Sequence, residues 1–171
     1  GFGLFLVPIS ETLGIGRESF SLAIAIQNIV LGIPLAGILA DRFGPRTVAV
    51  TGGILYTIGM YAVSTVSQIG GLYLWLGFAL GIAQSSTSFV VVLGAVAQVV
   101  PPEKRSLSFG IISAAGSLGM FTMIPFSQTL ETNFGWQSAF AILSGCVMLI
   151  AVLALILPNR NNAPSTVKDP I

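Results

Sequence analysis

The sequence predicts an all-α membrane protein, a bundle of six helices whose first is cut short, and three observations predict it. Of its 171 residues, 54% are hydrophobic and 8% charged, with a mean hydropathy of +0.92, more apolar surface than a soluble domain of this size could cover. Charge-free runs recur that reach or exceed the roughly 20 residues a helix needs to cross about 30 Å of hydrocarbon. The basic residues gather in alternate connections between those runs, as the cytoplasmic turns of a multi-pass protein do.

The elements follow in order. Gly1 to Ile9, within the opening GFGLFLVPIS, would rise only about 14 Å as a helix, so 1–9 is expected to be the outer end of a truncated span. With no initiator Met and no basic signal-peptide start, the chain reads as a fragment. The run from Ser19 to Ala40 holds a helix at 19–40. Thr47 to Pro102 is long enough for two spans, and the polar stretch STVSQIGG, Ser64 to Gly71, divides it into helices at 47–65 and 72–98. Ser106 to Leu130 and Thr132 to Asn159 supply helices at 106–128 and 136–157, completing a transmembrane bundle over 1–157. The tail 158–171, polar and carrying three prolines, suits the start of a cytoplasmic linker.

Alternate connections separate the charges. Arg42, Arg46, Lys104, Arg105, Arg160 and Lys168 fall on one side and only Arg17 on the other, which places the loops 41–46 and 100–105 and the tail in the cytoplasm. Tyr73, Trp75 and Trp136 lie at outer helix starts, where an interfacial belt would hold amphipathic rings. Laying the chain on itself at an offset of 91 pairs Pro34 with Pro125, Leu39 with Leu130, Phe43 with Phe134 and Gly44 with Gly135. Three helices fit within that offset. An odd number of spans inverts the second copy, and inverted three-helix repeats are a transporter signature.

One motif is specific. Gly37-Ile-Leu-Ala-Asp41-Arg42-Phe-Gly44-Pro45-Arg46 sits between the second and third helices. A carboxylate at the negative end of a helix needs a positive answer. Arg42 and Arg46 are near, and the amino terminus of another helix is a further candidate. Gly44 suits the left-handed residue that ends a helix, Pro45 stops its resumption, and Gly37 lets another backbone come close.

At these residues G-x-L-A-D-R-x-G-x-R resembles the loop motif of the major facilitator superfamily. The opening GFGLFLVPI, PPEKR, GIISAAGSLG and FGWQSAF are similar to its monocarboxylate and oxalate/formate branch. The resemblance covers nearly the whole chain. It implies the amino-terminal six-helix half of a major facilitator fold, and secondary transport of a small solute by alternating access against a second six-helix half. It also implies a gating role for Asp41, with Gly37, Arg42, Gly44 and Arg46 in support, in which the aspartate answers a helix end of the opposite half. Pro45 stands where many members have a basic or small residue, which thins the expected charge network. The plainer alternative is a basic topogenic turn.

Within the spans, Gln27, Asn28, Gln84 and Ser88 are the candidates for lining a substrate cavity; Gln84 and Ser88 stand one helical turn apart. Interhelical hydrogen bonding is the alternative, above all for Gln27 and Asn28. Gly77 and Gly81, and Ala115 and Gly119, have the spacing of close-packing pairs. Pro34 and Pro125 would kink their helices. No Asp, Glu, Lys or Arg lies within a complete span, so the resemblance assigns the cations that would bind an organic anion, a mono- or dicarboxylate, to the other half. A helix-five Gly-Pro pair of drug/proton antiporters is absent, since Gly116 and Gly119 are followed only distantly by Pro125. Another solute class (sugar, amino acid or drug) and a non-transporting sensor are the alternatives.

An intramembrane enzyme would need a nucleophile with its base, or a metal cluster. With no histidine, no span acid and one cysteine, Cys146, in an apolar run, no catalytic residue, metal site or cofactor is expected. The partners expected are the lipid bilayer of the cell membrane, the second half and a small-molecule solute; the near-neutral charge of +1 gives nucleic acid nothing to bind.

Overall fold

A computed structural model describes residues 2–32 and 35–157. The described residues contain helices and turns but no strand. Pro34, with its expected kink, Arg160, Lys168 and the 158–171 tail lie outside them. A 3-10 turn at Phe2–Phe5 leads into α1 (Leu6–Leu13), α2 (Arg17–Gly32), α3 (Leu35–Phe43) and α4 (Pro45–Ser64). The next span is composite: α5 (Ile69–Leu72), a π-helical stretch Tyr73–Ala79, α6 (Leu80–Ser86) and α7 (Phe89–Val99). Last comes α8 (Pro102–Ala154). Three helical stretches are long and apolar enough to cross a membrane, Pro45–Ser64, Ile69–Val99 and Pro102–Ala154. The last is two helices joined at Gly135, whose φ of 76° and ψ of 163° are its non-helical dihedrals. Pro125 leaves the helical dihedrals intact, so the break sits one turn or more beyond the proline.

The DRFGPR segment is tighter than a loop. Asp41 and Arg42 close α3, Pro45 takes the first position of α4, and Gly44 alone joins them. Proline suits that position because its missing N–H has no helical acceptor to lose. Gly44 has the positive φ expected of it, 88°, but its ψ of 146° takes it out of the left-handed helical region into an extended positive-φ one that essentially only glycine enters. Its N–H reaches Ala40 O at 2.9 Å.

Helix α4 runs through the middle of the bundle, against α8, α6, α3 and the π-helical stretch. Its approach to its neighbours rests on missing side chains: a Cβ at Gly53 would lie 2.8 Å from Ala151 N, one at Gly59 2.8 Å from a Leu80 methyl, and one at Gly52 would overlap Ser86 Cβ. Gly77 and Gly81 bring the fourth span onto α2 in the same way, with Ala23 O at 3.2 Å and Gln27 O at 3.0 Å from their would-be Cβ atoms. Gly119 has nothing within 4 Å, so it is not a close-packing site here.

The larger core unites Phe5, Ile9, Phe20, Val63, Leu72, Leu76, Leu80, Trp136 and Phe140. The Phe5 and Phe140 rings lie 4.7 Å apart, and Trp136 meets Phe140 edge-on at 6.4 Å. Trp136, at the helix start after Gly135, is buried, and its indole N–H donates to Thr12 Oγ1 at 3.0 Å, so its polar edge is satisfied within the bundle. A smaller core of Val48, Ala49, Val91 and Ala154 sits at the DRFGPR end. Before Gly135, α8 buries only Leu130; Trp136 and the residues after it carry the rest of its packing.

Candidate functional site

The hydroxyls of the spans are mostly bound to their own helix. Thr51, Thr57, Ser86, Thr87 and Thr122 each donate to a carbonyl three or four residues back, at 2.9–3.5 Å, which satisfies them where water is absent. Three amides converge.

Gln27 and Asn28 on α2, Tyr56 on α4 and Gln84 on α6 line one cavity of about 570 Å³. Leu4 and Phe5 close one side, and Met120, Met123, Ile124 and Ser127 of α8, with Leu143 and Val147 beyond Gly135, supply the opposite wall. One wall thus offers hydrogen bonds and the other, apart from the Ser127 hydroxyl, methyls and thioethers. No Asp, Glu, Lys or Arg is among the described lining residues.

Each amide has its own state. Gln84 Nε2 donates to the Tyr56 hydroxyl at 3.3 Å, tying α6 to α4. Asn28 Nδ2 donates to Ile24 O at 2.8 Å on its own helix. Gln27 is 3% exposed, and its Nε2 has no hydrogen-bond partner.

Ser88 is not among the described residues lining this cavity. The helix breaks at Thr87, and Ser88 is extended at φ −70°, ψ 162°, where its carbonyl accepts from Val91 and Val92 at the start of α7. The expected one-turn spacing to Gln84 therefore does not place the two on one face. The local cause is the polar run Gln84 to Ser88, whose side chains compete for helical backbone groups. Tyr56, Met120 and Met123 were not expected at a site. Their residue types are equally at home facing lipid, and no sequence signal separates the two environments.

A second cavity, of about 190 Å³, lies at the DRFGPR motif: Gly37, Ala40, Asp41 and Pro45 on one side, Val90, Val91, Gly94 and Gln98 of α7 on the other. A Cβ at Gly37 or Gly94 would meet nothing within 4 Å, so both glycines leave open space. Asp41 and Arg42 are exposed, Arg42 in the last turn of α3, where its charge complements the helix end, its guanidinium 5.5 Å from the centre of the Phe43 ring. Arg46 is half-buried in the first turn of α4. The motif's residues are thus gathered at one rim, and Gln27, Asn28 and Gln84 at the larger cavity. Among the described residues there is no group of three or more His, Cys, Asp or Glu able to hold a metal ion.

The sequence profile described as the Major Facilitator Superfamily matches residues 1–170. The chain is similar to monocarboxylate transporter 2 of Mus musculus, 29% identical over 149 residues, covering 86% of this chain and 30% of that protein. It is similar to monocarboxylate transporter 13 of Rattus norvegicus, 32% identical over 160 residues, covering 92% of this chain and 37% of that protein. It is also similar to monocarboxylate transporter 2 of Homo sapiens, 28% identical over 170 residues, covering 93% and 35%. The chain thus spans about a third of the length of these curated relatives.

Proposed function

We propose a function from the premise that this chain belongs to the major facilitator superfamily: it forms the amino-terminal six-helix half of a secondary transporter that carries a small organic anion by alternating access. The cavity of about 570 Å³ carries this proposal, because amides and a phenol from three helices face a largely apolar wall across it, the kind of space in which a small polar solute is bound between helices. The names of the relatives, monocarboxylate transporters, support an organic anion. The lack of Asp, Glu, Lys and Arg among the described lining residues supports a division of labour in which the second half, joined through 158–171, supplies the countercharge.

In this proposal the basic turns and tail face the cytoplasm, and Asp41 works as a gate. The small cavity beside it, with space left at Gly37 and Gly94, supports a seat for a helix end from the second half. Gln84, Gln27 and Asn28 line the solute path. Ser88 acts, if at all, through the helix break rather than from the wall.

Reconstitution tests it. The full-length protein in proteoliposomes is expected to take up radiolabelled acetate, glycolate or malonate against preloaded unlabelled acid. Binding of those acids without flux would indicate a sensor. The absence of a charge on the lining favours one second reading, a neutral solute. Uptake of glycerol or a hexose in place of any acid would establish that reading and reject the anion.

A further inference from the structure

Gln27 is the anomaly of the cavity. Its side chain is 3% exposed and borders a space of about 570 Å³, yet its amide nitrogen meets no acceptor. Leaving a buried donor unmade costs about 1–3 kcal/mol. The other two amides on the same wall are satisfied, Asn28 by its own helix and Gln84 by Tyr56. The carbonyl of the same residue lies 3.0 Å from the position a Cβ would take on Gly81, so α2 and the fourth span pack backbone to backbone at Gln27. The terminal torsion of a glutamine is broad and roughly two-fold, so a turn of the amide presents its N–H to the cavity without moving the helix.

We infer that Gln27 is a solute-binding residue whose free N–H is completed by an oxygen atom of the transported molecule. The inference rests on the transport proposal above and deepens it: it gives this half a neutral donor that reads an oxygen, separate from whatever cation balances charge. Glutamine suits that task because it discriminates by hydrogen bonding without attracting every anion. A site built around a hydrogen bond rejects an analogue that lacks the acceptor far more strongly than an apolar wall rejects a methylene.

The test uses the full-length protein with Gln27→Met, which keeps length and removes the donor, and Gln27→Glu, which keeps shape and replaces a donor by acceptors. Without solute, Gln27→Met is expected to unfold at a higher temperature than wild type, because an unpaired polar group has gone; a fall would mean that the amide holds the helices together and would overturn the inference. In proteoliposomes, KM for whichever of acetate, glycolate, malonate, glycerol or a hexose the wild type carries is expected to rise about tenfold in Gln27→Met, the factor one hydrogen bond supplies, with Vmax within about twofold. Gln27→Glu is expected to raise KM further for an acid, by repulsion, and Gln27→Asn to recover part of the loss. Unchanged KM in Gln27→Met would overturn the role of Gln27 while leaving the transport proposal intact. Wild type carrying none of the five would reject the transport proposal and this inference with it, whereas carriage of a neutral solute only would reject the anion and leave Gln27 to be judged by the KM of that solute.

Discussion

Gly44 and Gly135, 91 residues apart, hold the same rare backbone conformation, φ 88° with ψ 146° and φ 76° with ψ 163°. Each is the single residue between the end of one helix and the start of the next, and each follows a phenylalanine, Phe43 and Phe134. The two three-helix repeats therefore turn the same corner.

A side chain at either corner is strained whatever space surrounds it. Gly44→Ala and Gly135→Ala in the full-length protein are each expected to cost about 1–3 kcal/mol, read as a lower thermal midpoint in detergent. Gly145→Ala, at a helical position where nothing lies within 4 Å and no positive φ is required, is expected to be neutral or to stabilise by up to about 1 kcal/mol. Equal losses at all three would remove the conformational argument.

The seam beside α4 predicts a second contrast. In Gly53→Ala the new methyl meets the backbone of Ala151, which cannot rotate aside, and overpacking of this kind costs about 1–3 kcal/mol. Gly119→Ala adds its methyl to open space in a helix and is expected to be neutral or to stabilise by up to about 1 kcal/mol. Thermal midpoints of the two variants in one detergent decide the sign.

Much of this was legible in the residues themselves, for identifiable reasons. Charge-free runs locate spans because burying charge in lipid is costly, and the Gly44/Gly135 register in the residues marks the two corners that share one conformation. Gln27, Asn28 and Gln84 stood out because amides are rare at membrane depth. The cavity's apolar wall did not stand out: when a helix is apolar all round, periodicity cannot tell which side meets lipid and which meets solute, so Met120 and Met123 were invisible. A helical wheel puts Ser88 beside Gln84 because it presumes an unbroken helix, and the break at Thr87, between the two, violates that.

The indole of Trp136 and the hydroxyl of Thr12 bridge the first and last helices at 3.0 Å. Trp136→Phe and Thr12→Val are each expected to lower stability by about 1 kcal/mol, and the double variant by less than the sum, since both remove one bond. Strict additivity in thermal midpoints would show that the contact contributes nothing.

Asp41→Asn is expected to reduce uptake by the full-length protein several-fold while membrane insertion stays at wild-type level. Its partner in the proposed gate is a helix end, which prefers a full negative charge. Wild-type uptake would reject the gating role and leave the motif a topogenic turn.

Topology is tested separately. With Cys146→Ser as background, a cysteine at Glu103 is expected to resist a membrane-impermeant maleimide in sealed cells, and one at Gly16 to react. The reverse pattern would invert the proposed orientation.

Along α4, Gly52, Gly53 and Gly59 face neighbours while Ile54, Ile58 and Tyr61 face outward. One helix thus carries a strip that admits no side chain beside one that admits almost any oily residue. A saturation library scored for folded yield should show this as a banded tolerance map, intolerant and permissive positions alternating with the helical turn. Such a map would report the rotation of the helix in the bilayer without any structure being determined.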